Sequence, residues 1–375
     1  MDLLALSEVR WGYFRTRKQF LLSRFPDRWR VFFAQPPGSE GDDPWTPRRE
    51  GNVTCFTVPF LKPSTRQPLY NLAAATAPGR ALIEAAAARH LRTMLGRLGV
   101  ERDPVLMVSN IYSAGLLPSL GRRLAVYDYN DNPFQFAGSP PWARGYWRRA
   151  LGQSDLIFAV SEYYRRQLAS ETDKPVVRLG NGVEFDHFAR PRPVPESLDR
   201  LPRPRIVYLG LLSHFLDFDA LEALRQARRG GTLVLIGPRS PATEAKVRDL
   251  ASREGVALLP ACPYAEAPAH LQACDVGVIP FRALDPFVQG INPNKVYQYL
   301  ASGLPVVTTP LLDLSPAVRH LQYASEPQAF AAAVGVALDE SRDAEACRAL
   351  AKPYDWNAIA ARMVSEIERR IEPRP

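Results

Sequence analysis

Residues 292–307, Asn-Pro-Asn-Lys-Val-Tyr-Gln-Tyr-Leu-Ala-Ser-Gly-Leu-Pro-Val-Val, bring together side chains and a backbone pattern suited to holding an anion. The turn at Asn292-Pro293-Asn294 predicts a helix start, Gly303 predicts its stop, and Pro305-Val306-Val307 opens a strand. Lys295 and Gln298 are three apart and share one face of that helix. Free N–H groups at a helix start and the positive end of its dipole favour a bound anion, most naturally a phosphate. A lysine in the first turn opposes the dipole, so an anion there would relieve a conflict. The competing reading is an ordinary surface helix with a solvated lysine.

A second cluster lies at residues 125–133, Ala-Val-Tyr-Asp-Tyr-Asn-Asp-Asn-Pro. An apolar strand ends in Asp128, and Asn130, Asp131 and Asn132 crowd the turn that follows. An Asx-turn in which Asn130 and Asp131 satisfy backbone donors would explain the composition without chemistry. Asn110 and Tyr112 follow the expected strand at 105–109, which places them at a strand's carboxyl end, where open α/β sheets collect ligands. Asp217-Phe-Asp219 has acidic spacing seen at metal sites but precedes a predicted helix, where N-capping explains it better. Cys55, Cys262, Cys274 and Cys347 are scattered, with no Cys-x-x-Cys pair or histidine at ligand spacing, so no metal site is expected.

The elements that must position these residues alternate. Short apolar strands are expected at 2–8, 30–35, 52–58, 105–109, 125–128 and 154–161. They recur at 205–210, 232–237, 256–259 and 275–281. Helices fall between them, including 78–98 with its Gly99 stop and 219–229, while residues 36–51 and 59–68 read as loop and irregular chain. Between the halves, residues 190–204 hold five prolines, which marks a domain boundary. At 375 residues the chain exceeds one ordinary core, and 46% hydrophobic with 23% charged residues is a globular composition. The fold class expected is α/β, as two doubly wound parallel sheets.

Charge is unevenly placed. Residues 1–200 hold 28 Lys and Arg against 20 Asp and Glu, and residues 201–375 hold 19 against 19, so the whole excess of +8 lies in the first part. Such a field attracts an anionic membrane surface, a lipid diphosphate or nucleic acid. No recognised nucleic-acid motif accompanies it. Residues 142–149, Trp-Ala-Arg-Gly-Tyr-Trp-Arg-Arg, interleave aromatics with arginines, as an interfacial segment or a half-buried helix would. No apolar run approaches the ~18 to 20 residues of a membrane span, and the first eight residues lack a secretory signal's basic start. A cytoplasmic protein, peripheral on the inner membrane face, is expected.

The segment Pro293, Lys295, Gln298, Tyr299, Ala301, Gly303, Pro305, Val306, Val307 resembles the Pro-x-Lys-x-x-Glu-Tyr-x-Ala-x-Gly-x-Pro-Val-Val signature of GT-B glycosyltransferases. The likeness is to bacterial family 4 enzymes and to exopolysaccharide and teichuronic acid assembly transferases of the xanthan glucuronosyltransferase type. Residues 180–188 are similar to the family's Asn-Gly-Val-Asp junction, with Glu184 in place of Asp, and residues 264–281 to its Asp-Val-Gly-x-x-Pro-Phe region. Where the family has an acidic residue accepting from the donor ribose, this chain has Gln298, which still accepts through its carbonyl but carries no charge.

The resemblance implies a GT-B architecture with an interdomain cleft. An acceptor-binding Rossmann-like domain would take residues 1–190 and a linker 191–204. A nucleotide-sugar-binding domain would take 205–355, with a C-terminal helix, 356–375, crossing back. It implies metal-independent transfer of a sugar from a nucleotide-activated donor, UDP- or GDP-linked, to a lipid-linked or saccharide acceptor, with no resident cofactor. By position, Asp131 is the candidate base and Asp128 its supporting residue. Trp11, Arg15, Asn110 and Tyr112 would meet the acceptor. Gly210, Leu211, His214, Tyr264, Gln289, Gly290, Ile291, Asn292, Pro293, Asn294, Lys295 and Gln298 would meet the donor. A nucleotide-sugar 2-epimerase of the same two-lobed fold and a noncatalytic sugar-nucleotide binder are the alternatives. The second draws on Gln298 and on the lack of the family's basic pair after Gly210.

Overall fold

The computed structural model describes residues 1–12, 15–37, 46–59, 68–134, 139–311, 313–314 and 317–371. Tyr13 and Phe14, most of the expected loop at 36–51 and most of the irregular stretch at 59–68 lie outside them. Two compact units divide the chain: Met1–Gly180 with Ile359–Pro375, and Asn181–Ala358. The Pro-rich stretch belongs to the second unit, where the Arg192 N–H donates to Gln272 and Leu198 is fully buried.

The first unit is built on strands β1 (Asp2–Leu6), β2 (Arg30–Gln35), β3 (Arg48–Glu50), β4 (Val53–Thr57), β5 (Val105–Val108), β6 (Leu124–Tyr129), β7 (Leu156–Ala159) and β8 (Val176–Arg178), in the order β3-β4-β2-β1-β5-β6-β7-β8. All neighbours are parallel except β3 and β4. That antiparallel edge was expected to be loop. Gly51, at φ +64°, and Asn52 close it as a two-residue hairpin, and exposed Arg48, Arg49 and Glu50 guard the rim against pairing with another chain. Central strands read as unbroken apolar runs because helices cover both faces; β1 and β5 are buried throughout.

The second unit carries β9 (Arg205–Leu209), β10 (Thr232–Ile236), β11 (Val256–Leu259), β12 (Val276–Ile279), β13 (Val306–Thr308) and β14 (Leu321–Tyr323). Their order, β11-β10-β9-β12-β13-β14, is all parallel and is the doubly wound dinucleotide-binding arrangement. In each sheet the winding reverses once, between β1 and β5 and between β9 and β12. The carboxyl ends of those pairs are where such sheets bind ligands.

Helix boundaries follow local chemistry. Thr76 caps Ala77–Arg97, and Asp217 caps Phe218–Gln226 by accepting from the N–H groups of Asp219 and Ala220, so the Asp-x-Asp spacing is a cap. After β5 the chain forms a 3₁₀ helix, Tyr112–Ser119. Among the described residues no helix is long and apolar enough to cross a membrane. All four cysteines are free; Cys55, Cys274 and Cys347 are buried, with thiols pushed up to about 12 by burial, and Cys262 is half-buried.

Candidate active site

In the second unit the expected anion-binding helix is Asn294–Ala301, followed by Ser302, then Gly303 at φ +73° and β13. Pro293 precedes it without a side-chain cap, so its first N–H groups are not answered by a capping side chain. Tyr299 ties the helix to the end of β9: its hydroxyl accepts from the Leu209 N–H at 2.7 Å and donates to the Leu209 carbonyl at 3.2 Å. Tyr297 stacks on Tyr354 at 4.1 Å.

Lys295 lies across Gly210, the residue after β9 at the reversal point. A Cβ at position 210 would sit 2.1 Å from Lys295 Cε and 2.8 Å from Nζ, so a glycine is what leaves the lysine its place. Gly210 also holds φ +151°, a conformation other residues rarely adopt. Nζ stands 5.9 Å from the Tyr208 ring, and among the described residues Lys295 makes no ion pair or hydrogen bond through its ammonium. Burial without a counter-charge pulls its pKa down to about 8. Gln298, one turn on, is half-buried on the same face.

The other donor-side candidates divide. Asn292 is buried, and its amide is engaged: Oδ1 accepts from the Asn181 N–H at 2.9 Å and Nδ2 approaches the Tyr297 hydroxyl at 3.3 Å, while its carbonyl accepts from Asn181 Nδ2 at 2.8 Å. It shapes the entry to the helix. Leu211 is exposed and its carbonyl accepts from Tyr208; exposed His214 pairs through Nδ1 with Ser213 Oγ at 3.1 Å. Tyr264 stacks on His187 at 5.2 Å, on the helix Phe185–Ala189. Gln289 is exposed, Gly290 buried and Ile291 half-buried, in the short helix Pro286–Gly290 and its exit.

In the first unit, Asp128 and Asp131 diverge. Asp128 is fully buried and both of its oxygens accept from Arg17 Nε, at 3.1 and 3.0 Å, while Arg17 Nη1 donates to the Gly180 carbonyl at 2.7 Å. Asp131 is exposed and accepts from Asn130 Nδ2 at 2.7 Å. The Asx-turn is made by Asn132, whose Oδ1 accepts from the Phe134 N–H at 2.9 Å. Crowding by protein on its inner side costs Asp131 hydration and lifts its carboxyl above the ordinary value; Glu8 and Asp128 push the same way, against Asn130 and Lys18.

The sequence reading missed Glu8, Arg17 and Lys18. Both basic residues lie on the first helix, Arg17–Leu22, where Arg17 is 5% and Lys18 9% exposed. Lys18 pairs with Glu8 Oε1, and Glu8 Oε2 accepts from Ser109 Oγ at 3.0 Å, all at the reversal point of the sheet. Burial alone would raise the Glu8 carboxyl, but Lys18 and these hydrogen bonds hold it below its usual value. Asn110 approaches Glu8 at 3.5 Å and caps the 3₁₀ turn through Ser113. Tyr112 turns elsewhere, onto Trp142 and Tyr146. Trp11 packs edge-on against Phe33 while its N–H donates to Gln35, and exposed Arg15 lies over Phe20. In residues 142–149 the half-buried-helix reading holds: Tyr146 and Trp147 face the core and Arg144, Arg148 and Arg149 face out.

Two α/β domains, one on a mostly parallel sheet and one on an all-parallel sheet, resemble the architecture of the GT-B glycosyltransferases. Residues 203–340, which make up most of the second unit, match the family model described as Glycosyl transferases group 1. A Bacillus subtilis (strain 168) protein named as a teichuronic acid biosynthesis glycosyltransferase, TuaH, is 25% identical over 223 residues, which cover 56% of this chain. That match also takes in 56% of TuaH, so the chain spans about half the length of the curated relative it matches. Among solved structures, sucrose-phosphate synthase from Thermosynechococcus elongatus superimposes with a TM-score of 0.73 at 13% identity over 98% of both chains. Anabaena HepE in complex with UDP gives 0.65 at 15% identity, over 98% of this chain and 99% of its own.

Proposed function

We propose that the protein transfers a sugar from a nucleotide-activated donor to an acceptor hydroxyl in the assembly of a cell-surface polysaccharide. The observation that carries this reading is Lys295: a desolvated ammonium, unpartnered among the described residues, laid over Gly210 beside a helix start within the stretch that matches the group 1 glycosyltransferase model. In this reading the donor diphosphate occupies that position, and Lys295 and the first N–H groups of Asn294–Ala301 stabilise the charge that grows on it as the sugar departs. No metal is assigned a part. The UDP held by HepE favours a uridine donor over a guanosine one, and the TuaH likeness favours a saccharide or lipid-linked saccharide acceptor.

Asp131 acts as general base on the acceptor hydroxyl: its carboxyl is open to solvent, makes no bond to backbone among the described residues, and is raised towards the pH where a base works best. Asp128 serves by position, since Arg17 already occupies both its oxygens. The basic first part of the chain holds the protein against an anionic membrane face, where a lipid-linked acceptor would be met.

Replacing Lys295 by alanine removes a charge-assisted contact to phosphate worth ~1.5 to 3 kcal/mol, or roughly 10- to 150-fold in UDP affinity. Calorimetry with UDP measures this directly. In the wild type, a bound diphosphate pulls the lysine's pKa up from about 8, so binding near pH 8 takes up a fraction of a proton and weakens as pH rises further. Unchanged affinity in Lys295→Ala, with no proton uptake in the wild type, would remove the phosphate role.

A further inference from the structure

A groove of about 570 Å³ runs along the outer face of the helix Ala143–Gln153, bounded opposite by the turn after the helix Glu162–Ala169. Arg144 and Arg148 line one wall, Glu171 and Asp173 the other, over a floor that includes Trp147 and Leu151. Arg144 and Arg148 are one helical turn apart and exposed, and neither makes an ion pair among the described residues; Arg144 only lies over the Phe134 ring, 5.1 Å from its centroid. That sets them apart from their neighbour Arg149, which is paired with Glu84. Asp173 is likewise without a hydrogen-bonding partner among the described residues, whereas Glu171 accepts from Trp147 Nε1 at 2.7 Å. The Arg144 end of the groove begins beside Phe134, three residues after Asp131.

We infer that this groove binds an acidic saccharide chain, the already assembled part of the acceptor. The inference rests on the proposed transfer reaction and names its acceptor class. Two guanidinium forks present bidentate donors to sugar carboxylates, while the opposite carboxylates accept from sugar hydroxyls, a pairing of walls that suits a polyhydroxylated anion. A flat anionic lipid surface would meet Glu171 and Asp173 with repulsion, so the mixed walls favour a saccharide over a membrane. The space is within the range of ordinary small-molecule sites.

The test is binding of an oligogalacturonate to the whole protein without donor, compared with a neutral maltooligosaccharide of equal length, in the wild type and in Arg144→Gln/Arg148→Gln. Both arginines are exposed, and matched thermal melting establishes that the variant is folded. Expected is binding of the acidic chain but not the neutral one, weakened about tenfold in the double variant, as two partly exposed charge contacts together allow. UDP affinity stays unchanged in that variant. Equal binding of the two saccharides, an unaffected variant, or binding of anionic vesicles through these arginines with none to the saccharide would each overturn the inference. Failure here with Lys295-dependent UDP binding intact leaves the transferase reading standing. Saccharide binding without turnover of any nucleotide sugar would count against that reading and leave the groove assignment in place.

Discussion

Asp131 shows how far one residue's surroundings set its chemistry. Its folded pKa lies above the unfolded value, so its ionised form is the one that folding disfavours. Whatever stability the protonated form contributes is present at pH below the ordinary Asp value and is lost as pH rises through the raised folded value. Asp131→Asn should therefore melt higher than the wild type at neutral pH, with the difference closing in acid. The same substitution should abolish turnover while leaving UDP affinity nearly intact, because a base acts on the acceptor and not on the nucleotide. Thermal melting across pH, with calorimetry and a transfer assay, checks all three; wild-type turnover would return Asp131 to a structural role. The motif around Asp131 was visible in the sequence, but its fate was not. Composition could not say that Asn132 would take the Asx-turn and leave Asp131 open, since three adjacent Asx residues compete for the same donors.

At the scale of elements, local signals carried most of the reading. The Asn-Pro-Asn turn, the Gly303 stop and the Pro-Val-Val strand opening lie within sixteen residues, and the helix Asn294–Ala301 and β13 form where those signals put them. Alternating strands and helices likewise pointed to the parallel part of the first sheet and to the all-parallel second sheet. What stayed hidden was long-range polarity: Arg17 and Asp128 are 111 residues apart, and nothing near Arg17 says that a basic residue on a first helix will be buried. Glu8 and Lys18 were missed for the same reason, and the β3–β4 hairpin because β3 and Gly51 fall in the stretch 36–51 that reads as loop. The Arg17–Asp128 pair fastens the helix Arg17–Leu22 to the end of β6, with side chains only 4% and 1% exposed. Removing one partner strands the other's charge in the interior, so Arg17→Ala should cost about 3 to 5 kcal/mol. Urea denaturation measures it. A loss under ~1 kcal/mol, the range of surface pairs, would mean that water reaches Asp128.

For the whole molecule, the +8 excess of positive charge lies within residues 1–200. Because Tyr146 and Trp147 are in the core, attachment to a membrane would rest on charge and not on inserted aromatics. Basic residues near an anionic surface contribute about 1 kcal/mol each and are screened within about a Debye length. Co-sedimentation with anionic vesicles should be strong at low salt, fall steeply as salt rises, and be absent with neutral lipid. Equal binding to both lipids, or to neither, would make a soluble acceptor the better reading.

The distribution of thiols has a practical side. Cys55, Cys274 and Cys347 are sealed in the interior with their thiolates suppressed, while Cys262, just beyond β11 and two residues before Tyr264, is the one cysteine with partial access to solvent. The native chain thus carries a nearly unique chemical handle at the edge of the proposed nucleotide-binding face. A maleimide fluorophore would attach there without any cysteine being engineered in or out, and mildly alkaline conditions would speed it, since burial also raises this thiol's pKa. Such a reporter would let donor occupancy be followed by light, independently of whether sugar is ever transferred.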